Sequence, residues 1–241
     1  MSSAKPLLGR YRSWEHRRVS VKDRPVDDRH PLNVLIGGWR GLIESVLPPV
    51  LFVLTYYVAG RYSDHALSIA IVVVLLTAAL LAILRVIRKE RPIRILTVVL
   101  GVGVGAMFAA TSGNAVDYFW AAVLGNVATA IAFALSILWR WPLLGVIVGP
   151  LMGTGRRWRE DPDLLKAYSR ASWLWVILSV VRALVRIPLI LNGWLAALAV
   201  APVFFYALVA LTIAGSWAVI KRTLPPGHPG IRHPVVPSPA D

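Results

Sequence analysis

The chain of 241 residues contains no cysteine, which excludes a disulfide framework, a thiolate metal site and a cysteine nucleophile and leaves the redox compartment open. Acidic residues are scarce too: 12 Asp and Glu stand against 26 Lys and Arg, a formal net charge of +14. With so few carboxylates, paired-carboxylate chemistry has little material. No Ser/His/Asp set, metal-ligand spacing or phosphate-binding loop is recognisable, and His65 is a single histidine beside Asp64. We therefore expect no cofactor, no metal and no catalytic residue.

Apolar residues are what the chain has in quantity. They make up 57% of it, with a mean hydropathy of +0.64, more apolar mass than a soluble core of this length can hide. A bilayer is the fitting solvent. Excess positive charge would suggest nucleic acid if the basic residues formed a groove, but they flank apolar runs, so no nucleic-acid partner is expected. Six runs, 42–59, 66–84, 95–111, 118–138, 172–191 and 195–220, have the length of membrane spans, since about 20 residues at about 1.5 Å each cross a hydrocarbon core of about 30 Å. A seventh stretch, 142–152, is too short to cross and carries Gly145, Gly149 and Pro150; it is expected to re-enter the membrane or lie on it. The first run starts only after a long basic segment, so the first span itself, rather than a cleavable signal, should bring the chain into the membrane.

Cytoplasmic loops are rich in Lys and Arg, and this rule orients the spans. The N-terminal arm, the turn 85–94, the loop 140–170 and the residues Lys221, Arg222 and Arg232 fall on one side, whereas Arg61 is the one basic residue in the opposite connections. Six spans with both ends in the cytoplasm follow. Trp39, Tyr56, Tyr57, Tyr118, Trp139, Trp141, Trp173 and Trp194 stand near run ends, as an interfacial aromatic belt requires.

The expected fold is thus all-α: a polytopic transmembrane helix bundle in the plasma membrane. Residues 1–34 form a basic, largely disordered cytoplasmic arm, 35–223 the transmembrane domain and 224–241 a proline-rich cytoplasmic tail. The arm interleaves Arg10, Arg12, Arg17 and Arg18 with Tyr11 and Trp14. It reads either as a segment held on anionic lipid headgroups, at about 1 kcal/mol per basic residue, or as flanking charge that sets topology. The tail, with six prolines from Pro225 to Pro239, is expected to be extended and solvated, with His228 and His233 as spacers rather than metal ligands.

Ionisable groups inside a bilayer are costly, which makes them functional suspects. Arg182 and Arg186 stand one helical turn apart in the fifth run, with Pro188 close behind. They read as an anion or headgroup site, as part of a proton relay, or as structural arginines with a buried partner or snorkelling to the interface. Glu44, just inside the first run and four residues before Pro48, is the expected partner of Arg182, with Asn126 as rival and Asp117 at the outer end of the fourth run. In the third run Gly101 and Gly105 share a helix face, so both are expected at a close helix contact.

The segment Gly37-Gly38-Trp39-Arg40-Gly41 leading into Glu44 and Pro48, with Arg182 and Pro188-Leu189 later, resembles an actinobacterial family of polytopic membrane proteins, domain of unknown function 3159, over about residues 35–223. More distantly, Glu44 with Pro48, the basic turn 85–94 and the stretch from Arg170 to Trp175 are similar to the intracellular septation protein A family. The resemblance implies a cell-envelope protein with a role in division or wall synthesis. Two function classes compete. One is a non-enzymatic scaffold or accessory factor, acting through its basic arm and through helix contacts with other membrane proteins or itself. The other is a small transporter or channel-like protein with Arg182, Arg186 and Glu44 lining a path. A lipid-modifying enzyme ranks below both.

Overall fold

The computed structural model describes residues 38–90 and 92–235. The basic arm and its reading as a headgroup-binding segment lie outside the described residues. Among those described there are seven α-helices and no strand: α1 Gly38–Ala59, α2 Ala66–Ile87, α3 Pro92–Ser112, α4 Trp120–Leu138, α5 Leu143–Leu151, α6 Pro162–Leu191 and α7 Leu195–Thr223, with short 3-10 turns at Ala115–Phe119 and Arg157–Arg159. Five of them, α2, α3, α4 with its preceding turn, α6 and α7, are long and apolar enough to cross a membrane, and α1 contributes the shorter apolar helix Ile43–Ala59. Only 22 to 28% of each long apolar window is buried inside the protein. The remainder presents Leu76, Leu184, Phe204 and Leu211 outward among many other exposed apolar side chains, and large contiguous apolar patches are rare on surfaces that face water.

Local rules explain the boundaries. Asp161 and Pro162 open α6 as N-cap and first-turn proline: the Asp161 carboxylate accepts from the N–H groups of Asp163 at 3.0 Å and Leu164 at 3.1 Å. The fifth apolar run, expected from Ser172, is therefore the inner part of a longer helix. At 30 residues α6 is about 45 Å long, and its first three turns, with Lys166 and Arg170, extend beyond what a hydrocarbon core of about 30 Å can hold. Helix α5 spans nine residues, about 13 Å, and is far too short to cross.

Two cores hold the helices. The first gathers Phe52 of α1, Ala70 and Val74 of α2, Val102 of α3, and Leu198 and Ala199 of α7 around Tyr118; the Phe52 ring stacks on Tyr118 at 4.4 Å. The second lies at the other end of α6 and joins Leu144 of α5, Trp158, Leu164, Ala167 and Tyr168 with Ile220 of α7. Trp158, 1% exposed, sits edge-on to Tyr168 at 5.5 Å and lies flat on two glycines of α5. A Cβ on Gly145 would meet its ring at 2.8 Å, and one on Gly149 would meet it at 2.6 Å. The pair Gly145/Gly149, which reads in the sequence only as a helix breaker, is thus the bed for an indole.

In the described part of the tail, 224–235, most residues are exposed, but three of them are docked. Leu224 and Ile231 pack on the second core, and the side chains of His228 and Asp161 are 4% and 2% exposed. The free oxygen of the α6 N-cap, Asp161 Oδ2, accepts the Val235 N–H at 2.7 Å and meets His228 Nε2 at 3.0 Å. Gly230 N–H donates to His228 Nδ1 at 2.9 Å, so the ring proton sits on Nε2 and points at the carboxylate. Prolines prevent a helix here, but they do not prevent docking through dispersed apolar and polar anchors.

Candidate functional site

A cavity of about 450 Å³ lies among α1, α3, α4, α6 and α7, and its wall includes Glu44, Gly101, Gly125, Arg182, Arg186 and Phe205. Three prolines line it as well: Pro48 and Pro49 of α1 and Pro202 of α7. A proline has no N–H to give to the residue four positions earlier, so the carbonyls of Glu44, Ser45 and Leu198 lose their helical donors. All three of those residues also line the cavity. A hydrogen bond between the Ser45 and Tyr206 hydroxyls ties α1 to α7 at its edge.

The arginines meet over one ring. Arg182 donates from Nη2 to the Phe205 carbonyl at 2.9 Å, and its guanidinium lies 5.3 Å from the Phe205 ring centre. Arg186, 9% exposed, lies over the same ring at 4.5 Å. The Nε atoms of both are buried without a hydrogen-bond partner among the described residues. Cation–π contact compensates part of the desolvation, about 2 kcal/mol where water is excluded, but it brings no negative charge.

Glu44 does not supply that charge. Its carboxylate accepts from Arg85 Nη2 at 3.0 Å and Nε at 3.3 Å, and from Arg88 Nη1 at 2.7 Å, both at the end of α2. The expected partnership of Glu44 with Arg182 is replaced by this one.

The rivals fare no better. Asn126 turns its amide onto its own helix, donating to the Ala122 carbonyl at 2.8 Å. Asp117 lies in the 3-10 turn before α4 and accepts from the Trp120 indole at 3.1 Å. Asn114, which sequence reasoning passed over, caps that turn by accepting from the Val116 N–H. The two glycines of α3 separate in role: a Cβ on Gly105 would come within 2.7 Å of the Tyr118 carbonyl, whereas one on Gly101 would meet nothing within 4 Å. Gly105 is the close contact, and Gly101 opens on the cavity. Gly105→Leu should therefore lower the melting temperature of the purified protein by several degrees, an overpacking cost of about 1–3 kcal/mol. Gly101→Leu should leave it unchanged, and a loss as large as at position 105 would show that the cavity is not there.

The family described as Protein of unknown function (DUF3159) matches residues 36–227. The chain belongs to this family. The DUF3159 region takes in all seven helices and the whole cavity, while His228 and Val235 fall beyond it. No curated protein and no solved structure matches the chain. The described residues contain no group of three or more His, Asp or Glu side chains placed to hold a metal ion.

Proposed function

We propose that the chain is a non-enzymatic plasma-membrane protein whose cavity is a solute site, the binding or transport reading of the two. The observation that carries this is the convergence of Arg182, Arg186 and Glu44, from α1 and α6, on one cavity whose wall also holds Pro48 and Pro49 of α1 and Pro202 of α7. Helices α1 and α7 continue through these prolines, which leave backbone carbonyls one turn earlier without a helical donor beside the site. A scaffold acting through helix contacts and a basic arm gives such a cavity no use. In this reading α1, α2, α3, α4, α6 and α7 cross the bilayer with both chain ends cytoplasmic, and α5 lies on the cytoplasmic side with the second core. The Glu44 cluster is then at the cytoplasmic end of the cavity and the arginine pair deeper.

Single cysteines test the arrangement without background, because the chain has none of its own. Tyr62, 85% exposed, and Asn192 are in the outer connections, so Tyr62→Cys and Asn192→Cys should react with an impermeant maleimide added to intact cells. Glu160→Cys should react only after the cells are opened. Thr154, in the same inner connection, is buried and bonded to the Gly149 carbonyl and would stay silent on either side. Labelling of Glu160→Cys from outside would put α5 across the membrane or invert the protein. Gly101→Cys should react with a small neutral thiol reagent in detergent, and its silence would remove the cavity as a solute site.

A further inference from the structure

We infer that the solute is an anionic amphiphile, with a phosphate monoester head on Arg182 and Arg186 and an apolar chain along the proline-bearing wall. The inference rests on the reading of the cavity as a solute site and adds its chemistry. Two guanidiniums offer roughly ten N–H donors, and the described contacts use one, to the Phe205 carbonyl. A buried donor left without an acceptor is costly, and a buried charge without a counter-charge costs more. Arg186 meets both conditions: it is 9% exposed, its Nε is unpartnered among the described residues, and its charge rests on an aromatic ring.

The charge balance selects the head. Glu44 is the one carboxylate among the residues lining the cavity, and it is already held by Arg85 and Arg88. Two positive charges therefore face the space uncompensated. A carboxylate head would cancel one of them; a phosphate monoester, which carries about −1.5 to −2 at neutral pH, cancels both. Its oxygens also suit the guanidinium fork, which binds phosphate through paired N–H donors.

The walls select the tail. Beyond the arginines the wall has the hydroxyls of Ser45, Thr97 and Tyr206 but is mostly apolar, with Val98, Val102, Phe119, Leu198 and the three prolines, a surface that an apolar chain covers and inorganic phosphate does not. A cavity of about 450 Å³ is within the range of small-ligand sites and takes a head and the first part of a chain.

The experiment uses the full chain purified in a neutral maltoside detergent. Melting is followed with dodecyl phosphate, with inorganic phosphate, and with dodecyltrimethylammonium, which shares the chain and reverses the charge. Dodecyl phosphate at about 100 times its half-saturating concentration should raise the melting temperature by roughly 5–10 °C, and the other two should not. Arg186→Gln and Arg182→Gln should each raise that half-saturating concentration about tenfold or more, as expected for loss of a charged hydrogen-bond donor. Arg186→Lys, which keeps the charge but loses the fork, should do so less. A second reading keeps both arginines in place: in Gly101→Cys, at the cavity wall, dodecyl phosphate should slow modification by a small thiol reagent. Equal stabilisation by inorganic phosphate would overturn the amphiphile, and equal stabilisation by the cation would overturn the anionic head. A reactive Gly101→Cys that dodecyl phosphate does not protect would sink the ligand class alone, whereas an unreactive one would sink the cavity as a site.

Discussion

Glu44→Gln should lower the melting temperature in detergent by roughly 6–12 °C, the largest loss expected from any change at the cavity. The carboxylate is the meeting point of two guanidiniums, at 3.0 Å from Arg85 and 2.7 Å from Arg88, and it is 16% exposed beside an Arg85 that is 13% exposed. Removing one member of a fully buried pair leaves the other charge desolvated and costs about 3–5 kcal/mol, and this pair is part-buried. The lower end applies here, about 3 kcal/mol, because Arg88 is 45% exposed and can turn to water. At about 2–4 °C per kcal/mol for a protein of this size, the shift follows. A double-mutant cycle identifies the partner. Glu44→Gln with Arg85→Gln should show strong coupling, and Glu44→Gln with Arg182→Gln should show a coupling near zero. The reverse result would restore a contact across the cavity.

The helices could be read from the sequence because a bilayer imposes one length on every span. That signal ignores what a helix does outside the membrane. It found the apolar part of α6 from Ser172 but not its start, since Lys166 and Arg170 hide the first three turns in a hydropathy reading. The Asp161-Pro162 pair, an N-cap with a first-turn proline, is the signal in the sequence that marks this boundary. The same limit separates Gly101 from Gly105. Spacing puts both on one face, but only the neighbour's position makes one a contact and the other an opening. Arg182 and Arg186 were legible as expensive charges within an apolar run. Their surroundings were not, because a sequence fixes depth along a helix and says nothing about which neighbour that face meets.

Asp161→Ala should free the tail and fray α6 together, and should cost roughly 4 kcal/mol. One carboxylate oxygen caps the helix through Asp163 and Leu164, and the other holds Val235 and His228. An N-cap contributes about 0.5–2 kcal/mol and a hydrogen bond to a buried charge about 1.5–3 kcal/mol. The two sets share one side chain, so a single substitution removes both. Asp161→Asn separates them. An amide oxygen can still cap the helix, but the NH2 that replaces Oδ2 faces two donors and repels the tail. It should therefore cost less and release the tail all the same, a difference visible as faster proteolysis after Arg232. The pH dependence has a definite sign. Burial pushes the Asp161 carboxyl up, but the N–H groups of Val235 and Leu164 and the His228 ring outweigh it and hold the group below its ordinary value. A depressed carboxylate lends stability that is full above the unfolded value of about 3.9 and is lost as pH falls through the folded value. The tail should thus stay protected from protease from neutral pH down to about pH 5, and an acid-stable protease should cut it progressively faster below about pH 4. In Asp161→Asn the tail should be cut at the same rate across that range.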